Sequence, residues 1–231
     1  TITLVSLNEG TYSDCTITVT DSTGNVSNTH TITSFIVDST IVDSTATLFE
    51  VTPVTTPTND NTPAYTFAST EFGTISYGGS CSSDNNMATA DDNTITFDPL
   101  AEGTYSNCTI TVTDPTGNVS NTLTISTFIV DTTAATLAEV TPVTTPSNDN
   151  TPNYTFVSTE AGTITYGGSC SSQDTAASAG SNTITLNSLS DGTYSNCSIS
   201  VTDSAGNASG TLVITSFMVE STATLVEVTA V

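Results

Sequence analysis

Apolar residues alternate with threonine and serine in short runs along the whole chain. In the run from Cys108 to Thr113, Cys108, Ile110 and Val112 share one face, and Thr109, Thr111 and Thr113 share the other. A period of two marks a strand with one buried face, and Gly, Pro, Asn and Asp punctuate the runs. No stretch carries the apolar period of a helix. Within residues 46–135 the pattern predicts strands at Leu48–Val54, Ala64–Ser69 and Gly73–Tyr77, and one in the variable stretch 82–92. Three more are predicted at Thr94–Phe97, Thr104–Thr113 and Val119–Val130. Seven short strands in about 90 residues predict an all-β fold, two sheets packed as an immunoglobulin-like sandwich. Phe67, Phe97 and Phe128 have the spacing of core residues. Tyr105 is out of step with the Cys108 face by one residue. That predicts a β-bulge near Ser106–Asn107 returning the ring to the core, with its hydroxyl on nearby backbone as a tyrosine corner. Tyr12 and Tyr194 hold the same place.

The same text returns three times: GTYSDCTITVTDSTGNVSNT at 10–29, GTYSNCTITVTDPTGNVSNT at 103–122 and GTYSNCSISVTDSAGNASGT at 192–211. A second block, beginning EVTPVTTP, occurs at 50 and again at 139. Residues 1–45 therefore read as the closing half of a unit, 46–135 and 136–224 as complete units, and 225–231 as the opening strand of another. Tandem sandwiches placed end to end follow, as a window on a longer array. The alternative is a filament subunit whose incomplete domain is completed by a neighbour's strand. In the repeated turn, Asp114 is placed to bond the turn backbone beside Gly117 and Asn118, with Gly117 suited to positive φ. Gly206 and Asn207 recur in the next unit.

Composition removes several functions. The chain has no lysine or arginine, 23 acidic residues and a single histidine, His30, for a formal charge of −23. Nucleic-acid binding needs cations to replace phosphate counterions, and an electrostatic anchor to anionic lipid needs them too. Acidity alone would suggest disorder, but 35% apolar residues in strand alternation predict a folded chain. No apolar run approaches the roughly 20 residues of a membrane span.

The run LAEGTYSNCTITVTDPTGNVSNT, followed by FIVDTTAATL, resembles the bacterial Ig-like domains repeated in tandem in very large surface adhesins. Those often read L-x-D-G-T-Y, V-T-D-x-x-G-N and V-D-x-T-A-P. The resemblance covers essentially the whole chain and implies a sandwich fold and an extended extracellular stalk. Two departures matter: Ala135 stands where the family often has proline, and two cysteines per unit are not a general family feature.

Cys81 lies just past the third strand and Cys108 early in the sixth, neighbours in an Ig-type sheet. Disulfides Cys81–Cys108 and Cys170–Cys197 are therefore expected, with the partner of Cys15 before residue 1. Zinc is the competing reading, but there is no C-x-x-C and His30 is isolated. Disulfides imply an oxidising, extracellular location at the cell surface.

Acids recur at positions that topology sends to the domain ends. One junction is expected to gather Asp60, Glu102 and Asp131 against Glu160 and Asp203. The preceding one would gather Glu9, Asp38 and Asp43 against Glu71 and Asp114, and Asp149 repeats Asp60. Convergent oxygen ligands without a neutralising cation suit calcium. The plainer reading is that these acids sit on solvated loops and Asp114 organises its turn. Catalysis has little support: neither complete unit contains a histidine for a Ser-His-Asp arrangement, and Asp91 and Asp92 fall in the least similar stretch. Tyr77 and Tyr166 beside Gly-Gly-Ser could form a platform for sugar, against the alternative that they pack. The sequence thus reads as a non-catalytic spacer, a stalk or extracellular filament, with a carbohydrate-binding module as the rival. Expected partners are neighbouring repeats of the same or an adjacent chain, lateral copies, and a glycan or surface ligand.

Overall fold

A computed structural model describes residues 2–8, 10–37 and 44–221. The candidates Glu9, Asp38 and Asp43 and the strand expected in 225–231 lie outside the described residues. The described residues form strands and loops without helix, so no helix is long and apolar enough to cross a membrane. The chain divides into two units, Thr1–Thr45 and Ala46–Val231.

The first unit holds β1 (Gly10–Tyr12), β2 (Thr16–Ile17), β3 (His30–Thr31) and β4 (Phe35–Val37). β1 pairs with β4 and β2 with β3, both antiparallel. Among its described residues Val19 is 67% exposed, whereas the equivalent Val112 and Val201 of the second unit are 0% exposed. Cys15 forms no disulfide.

The second unit contains two sandwiches, each with its own core. The first is built from β5 (Leu48–Thr52), β6 (Ala64–Ser69), β7 (Gly73–Gly78), β8 (Met87–Ala88), β9 (Asp91–Thr96), β10 (Gly103–Tyr105), β11 (Thr109–Thr113), β12 (Leu123–Thr124) and β13 (Phe128–Val130). One sheet has the order β5-β6-β9 and the other β12-β11-β7-β8, with β10 and β13 paired as a ribbon. The second sandwich repeats this plan with β14 (Leu137–Thr141), β15 (Asn153–Ser158), β16 (Gly162–Gly167), β17 (Ala176–Ala177), β18 (Gly180–Thr185), β19 (Gly192–Tyr194), β20 (Ser198–Thr202), β21 (Leu212–Val213) and β22 (Phe217–Val219). Alternation explains the burial. In β11 the isoleucine and valine are buried and the threonines half-exposed, because successive side chains face opposite sides of a sheet. Ala135, counted by spacing as the last residue of one unit, is buried in the core of the next, as Ala46 is in the first.

The strand expected in the variable stretch is present as β8, beside β7. Three other expectations are corrected. The fifth strand begins earlier, at Asp91. The strands expected at 104–113 and 119–130 are each broken in two. Finally, the break near Ser106–Asn107 is not a bulge. Tyr105 opposes Phe128 and Thr109 opposes Thr124, so both sides keep one register and no residue is inserted. Instead both strands change phase together, leaving Cys108 and Phe128 buried and Tyr105 half-buried. The register shifts further along, where Thr113 opposes Val119. Tyr105 still reaches the core, stacking on Phe128 with ring centroids 5.1 Å apart. Its hydroxyl donates to the Ala101 carbonyl at 2.8 Å. Tyr12 and Tyr194 donate likewise to Asn8 and Ser190.

Candidate functional site

The chain passes from one sandwich to the next between β13 and β14, and the turn after β20 meets it there. Asp203 shapes that turn: its Oδ1 accepts the amides of Ala205, Gly206 and Asn207 at 2.8 to 2.9 Å. Its Oδ2 accepts the Asn207 side-chain amide at 2.9 Å. The same Asn207 Nδ2 donates at 2.8 Å to the backbone carbonyl of Asp131, the residue after β13. One asparagine therefore both closes its own turn and holds the preceding sandwich.

Around that bond, carboxylate oxygens of Asp131, Glu160 and Asp203 lie within 4.8 Å of one another, all three half-buried. Burial first, then the charges of Asp131, Asp203 and Glu102, hold Glu160 above the usual glutamate range. Burial pushes Asp203 the same way, but the bonds from Asn207 and the turn amides outweigh it and hold Asp203 low. The cluster thus has one carboxyl reluctant to ionise and one stabilised as an anion. Three convergent carboxylates are a hard, oxygen-only donor set that fits calcium or, with water completing the shell, magnesium.

Asp60 and Glu102 do not join the cluster. Asp60 Oδ1 accepts the Thr62 amide and hydroxyl, a local turn. Glu102 Oε1 accepts the Thr132 amide and hydroxyl at 3.1 and 2.8 Å, and the Thr133 hydroxyl as well. The Thr133 and Thr132 hydroxyls pull Glu102 below the glutamate range. Asp149 repeats the Asp60 turn with Thr151. Asp114 accepts the amides of Thr116, Gly117 and Asn118 through Oδ1, and the Asn118 side chain through Oδ2. Burial acts against ionisation there, and the Asn118 and Thr116 bonds overcome it, lowering Asp114 to about 2. Glu71 sits in a turn where the Ser69 hydroxyl donates to its carbonyl at 2.6 Å. Gly117 and Gly206 have φ of 100° and 96°, as their turns require.

Disulfides Cys81–Cys108 and Cys170–Cys197 join β7 to the start of β11 and β16 to the start of β20, with Cα atoms 5.3 and 5.2 Å apart. Tyr77 and Tyr166 pack against the cores as half-buried rings, and their hydroxyls donate to the carbonyls of Asn85 and Asp174.

Glu50 and Glu139 escaped the sequence reading. Glu50 accepts the Ser126 amide at 3.0 Å and hydroxyl at 2.5 Å, and Glu139 does the same for Thr215. Their parity was the available signal, since Glu50 shares the inward side of its strand with Leu48. Burial, with the Glu50 and Glu139 charges adding to it, pushes the Tyr65 and Tyr154 phenols well above the ordinary tyrosine range.

No family model matches the sequence, and no curated protein matches it. Among solved structures the chain is similar to the D00–D0 domain of intimin, at 14% identity and TM-score 0.33 over 73% of this chain and 98% of that one. It is also similar to the Bacteroides ovatus mixed-linkage glucan utilization locus SGBP-B in complex with mixed-linkage heptasaccharide (19%, 0.23, covering 94% and 55%). A third is γ-CGTase from alkalophilic Bacillus clarkii (15%, 0.23, covering 87% and 31%). At TM-scores this low none of the three carries an argument, and the fold rests on the strand ladders above.

The titration of the junction has a definite sign. Glu160 is raised when folded, so its contribution is fully present below the ordinary value of 4.5 and is lost as pH rises through the folded value. Asp203 is lowered, so its contribution is present above 3.8 and lost as pH falls through the folded value, and Asp114, in the equivalent turn of the first sandwich, has the same sign. The melting temperature should rise as pH is taken from 7 to about 5 and fall again below about 4. Glu160→Gln should raise it at pH 7 and flatten the first limb. A limb that survives this substitution would assign the rise to general repulsion among the acids instead.

Proposed function

We propose that this protein is a non-catalytic spacer: tandem immunoglobulin-like domains forming an extracellular stalk or filament at a bacterial cell surface, which carries another adhesive element outward. The observation that carries the reading is the junction, where Asn207 bonds the Asp131 carbonyl across two sandwiches and the linker residue Ala135 is 2% exposed. A linker packed in this way makes each added repeat add length. The disulfides favour an oxidising location, and Thr/Ser faces keep the outside of each sheet polar.

Calcium bound by Asp131, Glu160 and Asp203 is part of the proposal, as the ion that would relieve the raised Glu160 and restrain bending. The rival glycan-binding reading needs a flat exposed aromatic face. Tyr77 and Tyr166 turn their hydroxyls to backbone, and the half-exposed Phe49 and Phe72 become Ala138 and Ala161 in the next repeat. Among the described residues, the exposed Phe49 and Phe72 therefore do not recur from one repeat to the next.

Small-angle scattering and thermal unfolding of the full chain, with calcium and then with excess chelator, test both parts. An elongated particle that lengthens and melts higher with calcium supports the metal-stiffened stalk. Elongation indifferent to calcium removes the metal and leaves the spacer. A compact particle removes the stalk.

A further inference from the structure

β5 and β12 flank a groove in the first repeat, as β14 and β21 do in the second. In the first repeat Asn121 fills it. Its Oδ1 accepts the Leu48 amide at 2.7 Å, and its Nδ2 donates to the Leu48 carbonyl at 3.1 Å. A primary carboxamide carries an acceptor and a donor side by side, so it pairs with both backbone groups of one strand residue. In the second repeat the residue in this place is Gly210. An open cleft of about 220 Å³ is left, lined by Ala135, Thr136, Leu137, Gly210, Thr211 and Leu212. The other five are the same residues in the first repeat.

The floor of that cleft is backbone. The Thr136 carbonyl accepts the Thr159 amide, and the Thr136 amide donates to the Thr159 hydroxyl. Thr136 therefore turns its backbone groups toward β15, and Leu137, one residue on, turns its own to the other side. Among the described residues no hydrogen bond reaches the Leu137 amide or carbonyl there. The walls are apolar: Ala135 is buried, and Leu137 and Leu212 are half-buried. A backbone donor and acceptor without a protein partner cost free energy that a group making both bonds recovers.

We infer that the second repeat carries a binding site for a primary carboxamide, the end group of an asparagine or glutamine side chain presented by a partner protein, in the place that Asn121 fills in the first repeat. The chemistry is selective. A carboxylate accepts but cannot donate to the Leu137 carbonyl, and the chain's charge of −23 repels it. An ammonium group donates but cannot accept. A trans secondary amide has its N–H and C=O on opposite edges and reaches one of the two groups at a time. The same charge on a second copy opposes self-association, which leaves a different protein as the source.

Amide NMR of the isotope-labelled full chain, titrated with acetamide, tests the inference. The Leu137 amide should shift and saturate at roughly 10–100 mM, as two net hydrogen bonds imply. N-methylacetamide and acetate, each limited to one of the two bonds, should bind about three- to tenfold more weakly. Gly210→Asn should abolish the Leu137 response by filling the cleft. An added Cβ there would meet nothing within 4 Å, so this variant should fold. Asn121→Gly, with glycine native at the equivalent place, should give the Leu48 amide a response of its own. Equal binding of the three probes, a Leu137 amide indifferent to acetamide, or a response that survives Gly210→Asn overturns the site. N-acetylglutamine methylamide should bind at least as tightly as acetamide; its exclusion would restrict the cleft to free small amides and overturn the partner. A Leu137 shift that appears on concentrating the chain alone would assign the carboxamide to a second copy and overturn the partner likewise.

Discussion

Reducing the bridges is expected to lower the stability of each complete repeat by about 3.5 kcal/mol, the chain-entropy value for a closed loop of this length. The bridge ties strands of one sheet at residues 27 apart, and its cysteines are buried, with Cys108 1% exposed. Burial should also make reduction slow in the folded state, since a thiolate must reach the sulfur to attack it. Denaturant unfolding of the oxidised chain, the reduced chain and a Cys81→Ala/Cys108→Ala variant measures the effect. The variant should shift one repeat and leave the other's transition in place, because the two cores are separate. A shift below about 1 kcal/mol would mean that the ladder between β7 and β11 already holds the loop in the unfolded ensemble.

Gly79→Ala should be nearly as damaging, at about 2–5 kcal/mol from combined backbone strain and overpacking. Gly79 has a φ of 75°, a region that costs any residue with a Cβ. A Cβ there would also lie 2.0 Å from the Asn107 carbonyl oxygen, which is backbone and cannot rotate away. Gly117 separates the two causes: its φ is 100°, but an added Cβ would meet nothing within 4 Å. Gly117→Ala should therefore cost only the strain, about 1–2 kcal/mol. Equal losses for the two variants would mean that the approach of Gly79 to Asn107 relaxes freely. Gly168 faces the Asn196 carbonyl in the same way, so the result should transfer to the second repeat.

The acids show where reading by sequence stopped. Strand directions alone send Asp131, Glu160 and Asp203 to one junction, and the structure brings their oxygens together. The same grounds send Asp60 and Glu102 there. Asp60 instead bonds Thr62, two residues away, a local partner that needs no neighbouring domain. Glu102 bonds Thr132 and Thr133, about 30 residues away and next to Asp131. Topology sends side chains to an end of a domain; which nearby hydroxyl or amide each then meets depends on ångström-scale placement.

Alternation, turn residues and the repeated text determined by themselves that the chain is all-β, which residues face each core, and where the turns fall. Each of these follows from interactions between near neighbours: the period of two, the positive φ of a glycine, and the Asp-to-amide bonds of a turn. The tertiary structure alone decided matters that depend on two distant segments at once. It replaced a predicted bulge with a joint change of phase in two strands, and it turned Glu50 and Asn121 into ties between first and last strands. It also set Asn207 against the Asp131 carbonyl. Those contacts join residues more than 70 positions apart, and a one-strand pattern carries no information about the strand that will lie against it.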